Sequence, residues 1–154
     1  KRMLKQNELG DNLSDDGLDA SFCYVDPVEK KVRFAGAFQS LYMNTNDGIV
    51  EVKGDRQSLG YTTSKDDFKY TNHDIDIEYK TVCYLSSDGY KDMPFGDRGL
   101  PFGRKNLKKK LFKIKDLTLK EQKRELIDFM DKVHRKHDQR DDITLIGFKI
   151  QEFD

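Results

Sequence analysis

Two short acidic motifs, each beside a strongly apolar segment, contain the side chains best suited to chemistry. Asp88 and Gly89 follow the run VCYLSS, Asp92 comes four residues after Asp88, and Asp141 and Asp142 precede the run ITLIGF. A carboxylate at a strand end is held by rigid backbone at a sheet edge that ions can reach, and Mg²⁺ and Mn²⁺ prefer oxygen ligands. The pattern therefore predicts positions for a divalent cation, although it is also typical of a plain turn and a polar strand end.

The composition indicates one domain in a reducing compartment. The chain has 154 residues, enough for a single hydrophobic core. Cys23 and Cys83 lie far apart inside apolar segments, which predicts buried thiols rather than a disulfide framework or a zinc ribbon. No apolar run approaches the roughly 20 residues of a membrane-spanning helix. We expect a cytoplasmic location without membrane contact by this segment, which is compatible with a membrane-anchored parent protein.

A basic run at 104–115, RKNLKKKLFKIK, raises the question of nucleic-acid binding. Against this, the whole chain has 28 Lys and Arg and 28 Asp and Glu, hence a formal net charge of zero. The run also lacks the regular interleaving of aromatic side chains that would stack on bases. We therefore expect no nucleic-acid partner and interpret the lysines as a solvated helix face.

Period-two patterns in the first half predict antiparallel strands. Runs at 18–26 and 31–37 flank a Pro-containing turn, which predicts a hairpin. A second hairpin is predicted around the Asp47-Gly48 pair, which suits a tight turn. Two successive hairpins suggest an antiparallel meander. A further strand pair with a short connection is predicted over 68–77 and 81–87.

Helical spacing replaces this pattern in the last third of the chain. An apolar stripe at i, i+4 and i+7 predicts an amphipathic helix through Leu107, Leu111 and Ile114. Thr118 and Glu121 have capping-box spacing and predict a second helix that ends near residue 136. The run ITLIGF then predicts a strand buried on both faces. The expected fold class is α+β, with largely antiparallel sheets and late helices.

The ordered motifs together resemble one protein family. The chain contains, in order, the segments DGLDASFCYVD, KVRFAGAFQSLYM, GYTTS, FKYTNHDIDI, TVCYLSSDGYKD, FGRK and QRDDITLIGFKI. Together they are similar to the C-terminal two-thirds of the stage II sporulation protein E family. These are bacterial members of the metal-dependent, type 2C protein serine/threonine phosphatases. The resemblance extends from about residue 4 to the end. It implies a type 2C phosphatase-like β-sandwich flanked by helices.

The resemblance also implies roles for individual residues. The family pattern S-D-G-x-x-D falls on 87–92, and the pattern D-[DN]-[IV]-T falls on 141–144. In the family, the positions of Asp88 and Asp141 ligate the same Mn²⁺ or Mg²⁺ ion of a dinuclear centre, and that of Asp92 serves a more weakly held third ion. The implied reaction is hydrolysis of phosphoserine or phosphothreonine by a metal-activated water.

One family motif is missing from this sequence. Family members carry an earlier D-x-x-G-x-G or D-G-x-G motif whose aspartate bridges both metals. Asp16-Gly17 does not match it, because this pair directly precedes the first hairpin. We therefore expect an N-terminally truncated single domain over 1–154, with 1–17 a helix end and linker, and a fragment inactive without the missing motif. The alternative is a non-catalytic phosphatase-like module that binds a signalling partner.

Further expectations concern basic side chains and partners. Arg98 and Arg104 lie in the Gly-rich segment FGDRGLPFGRK, where a mobile flap could bring a guanidinium to phosphate; a plain surface role is the alternative. His73 is interpreted as an ordinary strand residue, and His134 and His137 as surface or terminal-turn residues of the last helix. The resemblance implies a phosphoprotein substrate of the anti-anti-sigma type and an upstream sensory domain in the parent protein.

Overall fold

Two antiparallel sheets lie face to face, with two helices against the outer side of the second sheet, in the computed structural model, which describes residues 16–150. In chain order the elements are β1 (Ala20–Asp26), β2 (Lys31–Ala37), β3 (Ser40–Asn44), β4 (Ile49–Lys53), β5 (His73–Asp76), β6 (Val82–Ser86), α1 (Gly89–Asp92), β7 (Pro94–Phe95), β8 (Leu100–Pro101), α2 (Gly103–Lys113), α3 (Leu119–His134) and β9 (Leu145–Lys149). The two packed sheets have the orders β1-β2-β5 and β4-β3-β6-β9, and β7 pairs with β8 in a separate two-stranded hairpin. The expected α+β class is confirmed. The predicted helix end at the start of the chain lies outside the described residues.

The core has two layers, which follow from the alternation of side chains along the strands. Between the sheets lie the buried side chains of one cluster, including Val32, Phe34, Leu41, Met43 and Cys83. Between the second sheet and the helices lies another, including Tyr42, Tyr84, Tyr90, Leu107 and Leu126. Successive residues of β3 and of β6 point to opposite faces of the sheet. These two strands therefore contribute side chains to both layers of the core.

The predicted meander is wrong, because the two hairpins belong to different sheets. Both hairpins themselves form as predicted, β1 with β2 and β3 with β4. Between them Phe38 adopts a φ of 55°, a left-handed conformation that is uncommon for a residue with a bulky side chain. The chain turns sharply there, and the Phe38 N–H donates to the Asp55 carbonyl. This corner sends β3 into the second sheet.

Two further strand predictions need correction. The strands β5 and β6 do not pair with each other: β5 pairs with β2, and β6 lies between β3 and β9. The last strand, β9, is at the edge of its sheet rather than buried on both faces, and Ile146 is 53% exposed. Pairing between distant segments depends on which apolar faces meet in the core, which a local pattern does not specify.

A buried polar contact attaches α3 to β6. The Tyr84 hydroxyl donates to Gln122 Oε1 at 2.9 Å, and Gln122 Nε2 donates to the Leu117 carbonyl at 2.9 Å. Gln122 is only 2% exposed, so these bonds satisfy an amide that would be costly to bury alone. Burial raises the pKa of Tyr84 to about 12, so its hydroxyl stays protonated and able to donate. The helix therefore holds β6 in place.

Both late helices form, and the predicted capping box is confirmed. The Glu121 N–H donates to Thr118 Oγ1, and the Thr118 N–H donates to Glu121 Oε2 at 2.9 Å. These bonds satisfy backbone donors that a helix N-terminus leaves free. The helix α3 ends at His134, close to the predicted end.

Replacing Thr118 by Ala is expected to lower the free energy of unfolding by about 1 kcal/mol, the usual effect of losing a capping side chain. Urea denaturation of the chain measures this change. Thr63 is an exposed loop threonine, so Thr63→Ala is the matched control and should change stability by less than about 0.5 kcal/mol. An equal effect of the two substitutions would show that the cap contributes nothing.

Both cysteines are free, as predicted, with Cys83 buried and Cys23 partly buried. Burial raises the pKa of the Cys83 thiol to about 12, so it remains protonated near neutral pH and unsuited to nucleophilic chemistry. In the part of the chain described, none of the helices is long and apolar enough to cross a membrane.

Candidate metal centre

Antiparallel pairing of β6 with β9 brings the two acidic motifs to one edge of the second sheet. Ser86, the last residue of β6, lies opposite Leu145, the first residue of β9. The segment that follows β6 and the segment that precedes β9 therefore leave the sheet at the same edge. The first segment carries Asp88 and the second carries Asp141.

Ser87 joins these two segments through its backbone and its side chain. Its N–H donates to the Thr144 carbonyl at 2.9 Å, and its Oγ accepts the Thr144 N–H at 2.9 Å. The same hydroxyl lies 3.1 Å from the Asp142 carbonyl oxygen, to which it donates. These bonds span 55 and 57 residues of sequence. Ser87 therefore fixes the position of one acidic motif relative to the other.

Gly89 permits the close approach of the two motifs. A Cβ atom built on Gly89 would lie 2.3 Å from the carbonyl oxygen of Asp142 and 3.0 Å from a side-chain carbon of Ile143. The first distance is far below any real contact of a Cβ with backbone. Gly89 is helical in φ and ψ, as the first residue of α1, so space rather than a positive φ requires the glycine here.

The carboxylates at this edge are accessible. Asp88 occupies the N-cap position of α1 but makes no side-chain capping bond, and its side chain is 41% exposed. Lys91 Nζ lies 3.3 Å from an oxygen of Asp92 and 3.9 Å from an oxygen of Asp88. On the other segment, Asp141 Oδ1 accepts the N–H of Asp142 at 2.7 Å. The Lys91 ammonium group therefore partly neutralises the carboxylates of Asp88 and Asp92, as a bound cation would.

The donor type fits Mg²⁺ or Mn²⁺, but the number of donors within residues 16–150 is too small for a complete site. Both motifs offer carboxylate oxygens, the ligands that hard cations prefer. No group of three or more His, Cys, Asp or Glu side chains among these residues could hold a metal ion. The described residues therefore do not form a metal site by themselves.

A family model described as Stage II sporulation protein E matches residues 4–151 of the chain. The chain belongs to the stage II sporulation protein E family. Comparison with the curated proteins gave no match.

Solved structures agree with this family and its fold. The SiaA-PP2C domain of Pseudomonas aeruginosa matches with a TM-score of 0.80 and 30% sequence identity, over 88% of this chain and 52% of that chain. The phosphatase domain of the cell fate determinant SpoIIE from Bacillus subtilis, presoaked with Mn, matches with a TM-score of 0.61 and 15% identity, over 90% of this chain and 58% of that chain. This sporulation protein E family chain thus spans just over half the length of these two structures. It has the type 2C phosphatase fold, as the sequence predicted.

A small cavity beside the acidic edge is lined by a histidine as well as by residues of both acidic motifs. The cavity, of about 10 Å³, is lined by Asp92, Asp141 and His134, among others. Among the described residues, the His134 Nε2 atom is buried and has no hydrogen-bond partner. Buried polar atoms are nearly always satisfied, and a cavity of this size holds about one water molecule. Within residues 16–150, His134 Nε2 is therefore a buried side-chain atom that the protein itself leaves without a partner.

The two arginines singled out in the sequence lie in different settings. Arg98 is exposed at the tip of the β7–β8 hairpin. Arg104 is on the first turn of α2, where its Nη1 atom lies 3.6 Å from Glu51 Oε1 on β4. The Glu51 side chain is only 9% exposed, so this ion pair gives Arg104 a structural partner. Arg98 keeps a free guanidinium in the described part of the chain.

Sequence reasoning missed the side chains that anchor this hairpin. His137 Nε2 lies 2.9 Å from the Gly96 carbonyl oxygen, and Arg140 Nη2 donates to the Gly99 carbonyl at 3.4 Å. Both anchors come from the segment between α3 and Asp141. The i, i+3 spacing of His134 and His137 was the available signal, but it does not reveal that the hairpin folds onto this segment.

Proposed function

We propose that the chain is the C-terminal part of a metal-dependent protein serine/threonine phosphatase domain, and that the complete domain hydrolyses phosphoserine or phosphothreonine in bacterial signalling. The observation that carries the proposal is the junction at Ser87, which holds the S-D-G-x-x-D and D-D-I-T motifs together at one sheet edge. Membership of the sporulation protein E family supports it.

In this proposal Asp88 and Asp141 are ligands of one Mn²⁺ or Mg²⁺ ion, and Asp92 serves a more weakly held ion. When bound, two such ions lower the pKa of a water molecule and neutralise charge on the phosphoryl oxygens. The protein's own contribution is positional. Ser87 and Gly89 fix the two aspartate segments side by side, so both carboxylates project from backbone that is held in place.

The ligands that the described residues do not supply are proposed to come from the family's earlier aspartate motif, in a longer protein that contains this chain. The incomplete ligand set supports this, since no three-ligand group exists within residues 16–150. The chain by itself is therefore proposed to be inactive. In the longer protein Asp88 and Asp92 would hold the cation, and the Lys91 ammonium, 3.9 Å and 3.3 Å from their carboxylates, would compete with it for their negative charge.

A comparison of two proteins tests the function. The chain and a longer protein that also includes the preceding family motif are each incubated with a phosphoserine peptide, with and without MnCl₂, and released phosphate is measured. We expect manganese-dependent release by the longer protein only. A longer protein that has the circular dichroism spectrum and cooperative unfolding of a folded domain, yet releases no phosphate with Mn²⁺ or Mg²⁺, would contradict the proposal.

The proposed partner is a phosphoprotein of the anti-anti-sigma type, and the proposed setting is the cytoplasm, downstream of a sensory domain in the same protein. Arg98 is proposed to contact the substrate, because its guanidinium is exposed at a hairpin tip that the same segment as Asp141 anchors. Arg104 already pairs with Glu51, which makes it the weaker of the two candidates.

The incomplete ligand set also favours a second function, a non-catalytic module that uses the phosphatase fold to bind a signalling protein. Manganese binding separates the two. A phosphatase domain should show a rise in the Tm of the longer protein when MnCl₂ is added, because a ligand that binds only the folded state stabilises it. A binding module should show no such rise.

A further inference from the structure

A basic cleft opens between the end of α3 and the β7–β8 hairpin. Its volume is about 430 Å³. Three of its lining side chains are basic, Arg135, Lys136 and Arg140, and one is acidic, Asp138. This excess of positive charge occurs in a chain whose formal net charge is zero. The cleft is therefore a local electropositive site rather than part of a generally basic surface.

The positive charges in this cleft are available to a ligand. Within residues 16–150, Arg135, Lys136 and Arg140 form no salt bridge. The basic residues of α2, by contrast, include Arg104 and Lys108, which both pair with Glu51. A guanidinium that is not held in an ion pair can bind a carboxylate with paired, directional hydrogen bonds. Arg140 already donates one N–H to the Gly99 carbonyl at 3.4 Å, so its other N–H groups are the ones available.

The framework of the cleft is well defined. The Lys136 and His137 N–H groups both donate to the Val133 carbonyl, at 3.0 Å and 3.1 Å, which continues the last turn of α3. The β7–β8 hairpin, on the other side of the cleft, is held by hydrogen bonds from the His137 and Arg140 side chains to the carbonyls of Gly96 and Gly99. The lining side chains thus project from backbone that is held on both sides, which limits the ordering cost of binding.

The cleft adjoins the candidate metal centre. Pro94, His134 and Arg140 line both this cleft and the small cavity that contains Asp92 and Asp141. A substrate segment whose phosphorylated residue lies at the acidic edge would therefore place a neighbouring residue in the cleft. The acidic edge alone would repel a negatively charged segment, and the adjacent positive charges offset this repulsion.

We propose that this cleft binds an acidic side chain next to the phosphorylated residue of the substrate, so the protein recognises phosphoserine in an acidic sequence context. This inference rests on the proposed phosphatase function. It assigns Arg135, Lys136 and Arg140 to substrate recognition, with Arg140 at the wall shared with the candidate metal centre.

Two labelled phosphoserine peptides of equal length test the proposal, one with Glu and the other with Gln on both sides of the phosphoserine. Their affinities for the chain are measured by fluorescence anisotropy without metal, so hydrolysis is not involved. We expect the Glu peptide to bind about tenfold more tightly at low salt. The preference should shrink as ionic strength rises, because exposed charges are screened.

The double substitution Arg135→Gln with Lys136→Gln, and the single substitution Arg140→Gln, should each reduce this preference to about twofold or less. The chain offers a matched control at Lys123 and Arg124, an adjacent exposed Lys and Arg on the first half of the same helix. Lys123→Gln with Arg124→Gln should keep the full preference. Circular dichroism melts of all variants verify that they are folded.

Equal affinity of the unaltered chain for the two peptides would overturn the proposal, and so would a preference retained in folded variants of Arg135, Lys136 and Arg140. These outcomes differ from failure of the phosphatase function. A longer protein that never releases phosphate, while the chain keeps a preference that depends on Arg135, Lys136 and Arg140, would overturn the phosphatase and support the cleft. An active phosphatase whose chain shows no such preference would overturn the cleft alone.

Discussion

Replacing Asp88 or Asp141 by Asn should lower the manganese-dependent activity of the longer protein by more than about 100-fold. The two carboxylates lie on segments that Ser87 joins, and an amide in place of either removes the negative charge that a dication requires. Even residues that only support a metal ligand typically change affinity or activity by about 10-fold to 100-fold when altered. Loss of a direct ligand should exceed that range.

Phosphate release from a phosphoserine peptide measures the activity, and the shift of Tm with added MnCl₂ measures metal binding separately. Asp128→Asn is the matched control, since it removes one carboxylate from an exposed position on α3. The control should keep both the activity and the Tm shift. Activity close to normal in both Asp88→Asn and Asp141→Asn would refute the assignment of these residues as ligands.

Replacing Gly89 by Ala should destabilise the chain itself by about 1–3 kcal/mol, the range for inserting atoms into a filled space. The new Cβ would lie 2.3 Å from the Asp142 carbonyl oxygen, and backbone on both segments would have to move. Because the clash lies between the two acidic motifs, the same substitution should also separate Asp88 from Asp141 and reduce activity of the longer protein.

Urea denaturation measures the stability change, with Gly147→Ala as control. Gly147 is in β9, the strand that follows the second acidic motif. A Cβ there would meet the Tyr84 ring at 3.5 Å, an ordinary contact. We expect the control to change stability by less than about 1 kcal/mol. If both glycine substitutions had the same effect, close packing of the two motifs would not be the reason for Gly89.

Local features were predictable from sequence where neighbouring residues determine them. The Thr118 and Glu121 capping box and the two hairpins depend on residues close in the chain, and all three form. The assignment of strands to sheets was not predictable. The left-handed Phe38 separates two hairpins that look continuous in sequence. The apolar run of β9 suggested a central strand, but such a run does not reveal how many neighbouring strands pair with it.

The candidate site shows the same division. Asp88 and Asp141 could be named as candidate ligands from their motifs and from family resemblance, since each motif is short and intact; their role as ligands stays a prediction. The roles of Arg135, Lys136 and Arg140 could not, because the cleft exists only where the hairpin folds against the end of α3. The partner of Arg104 was hidden for a similar reason: Glu51 is more than 50 residues earlier and meets it through the packing of α2 on β4.

Because β9 is an edge strand, the part of the candidate site that contains Asp141 is less protected against local unfolding than the part that contains Asp88. This strand has a neighbour on only one side, and edge strands at the end of a fold open locally at lower free energy than central ones. Asp141 lies on the segment that leads into β9, so each fraying event would carry it away from Asp88, which follows the central strand β6. A metal ion bound by both carboxylates would hold the two strands together, and amide hydrogen exchange in β9 would report its occupancy.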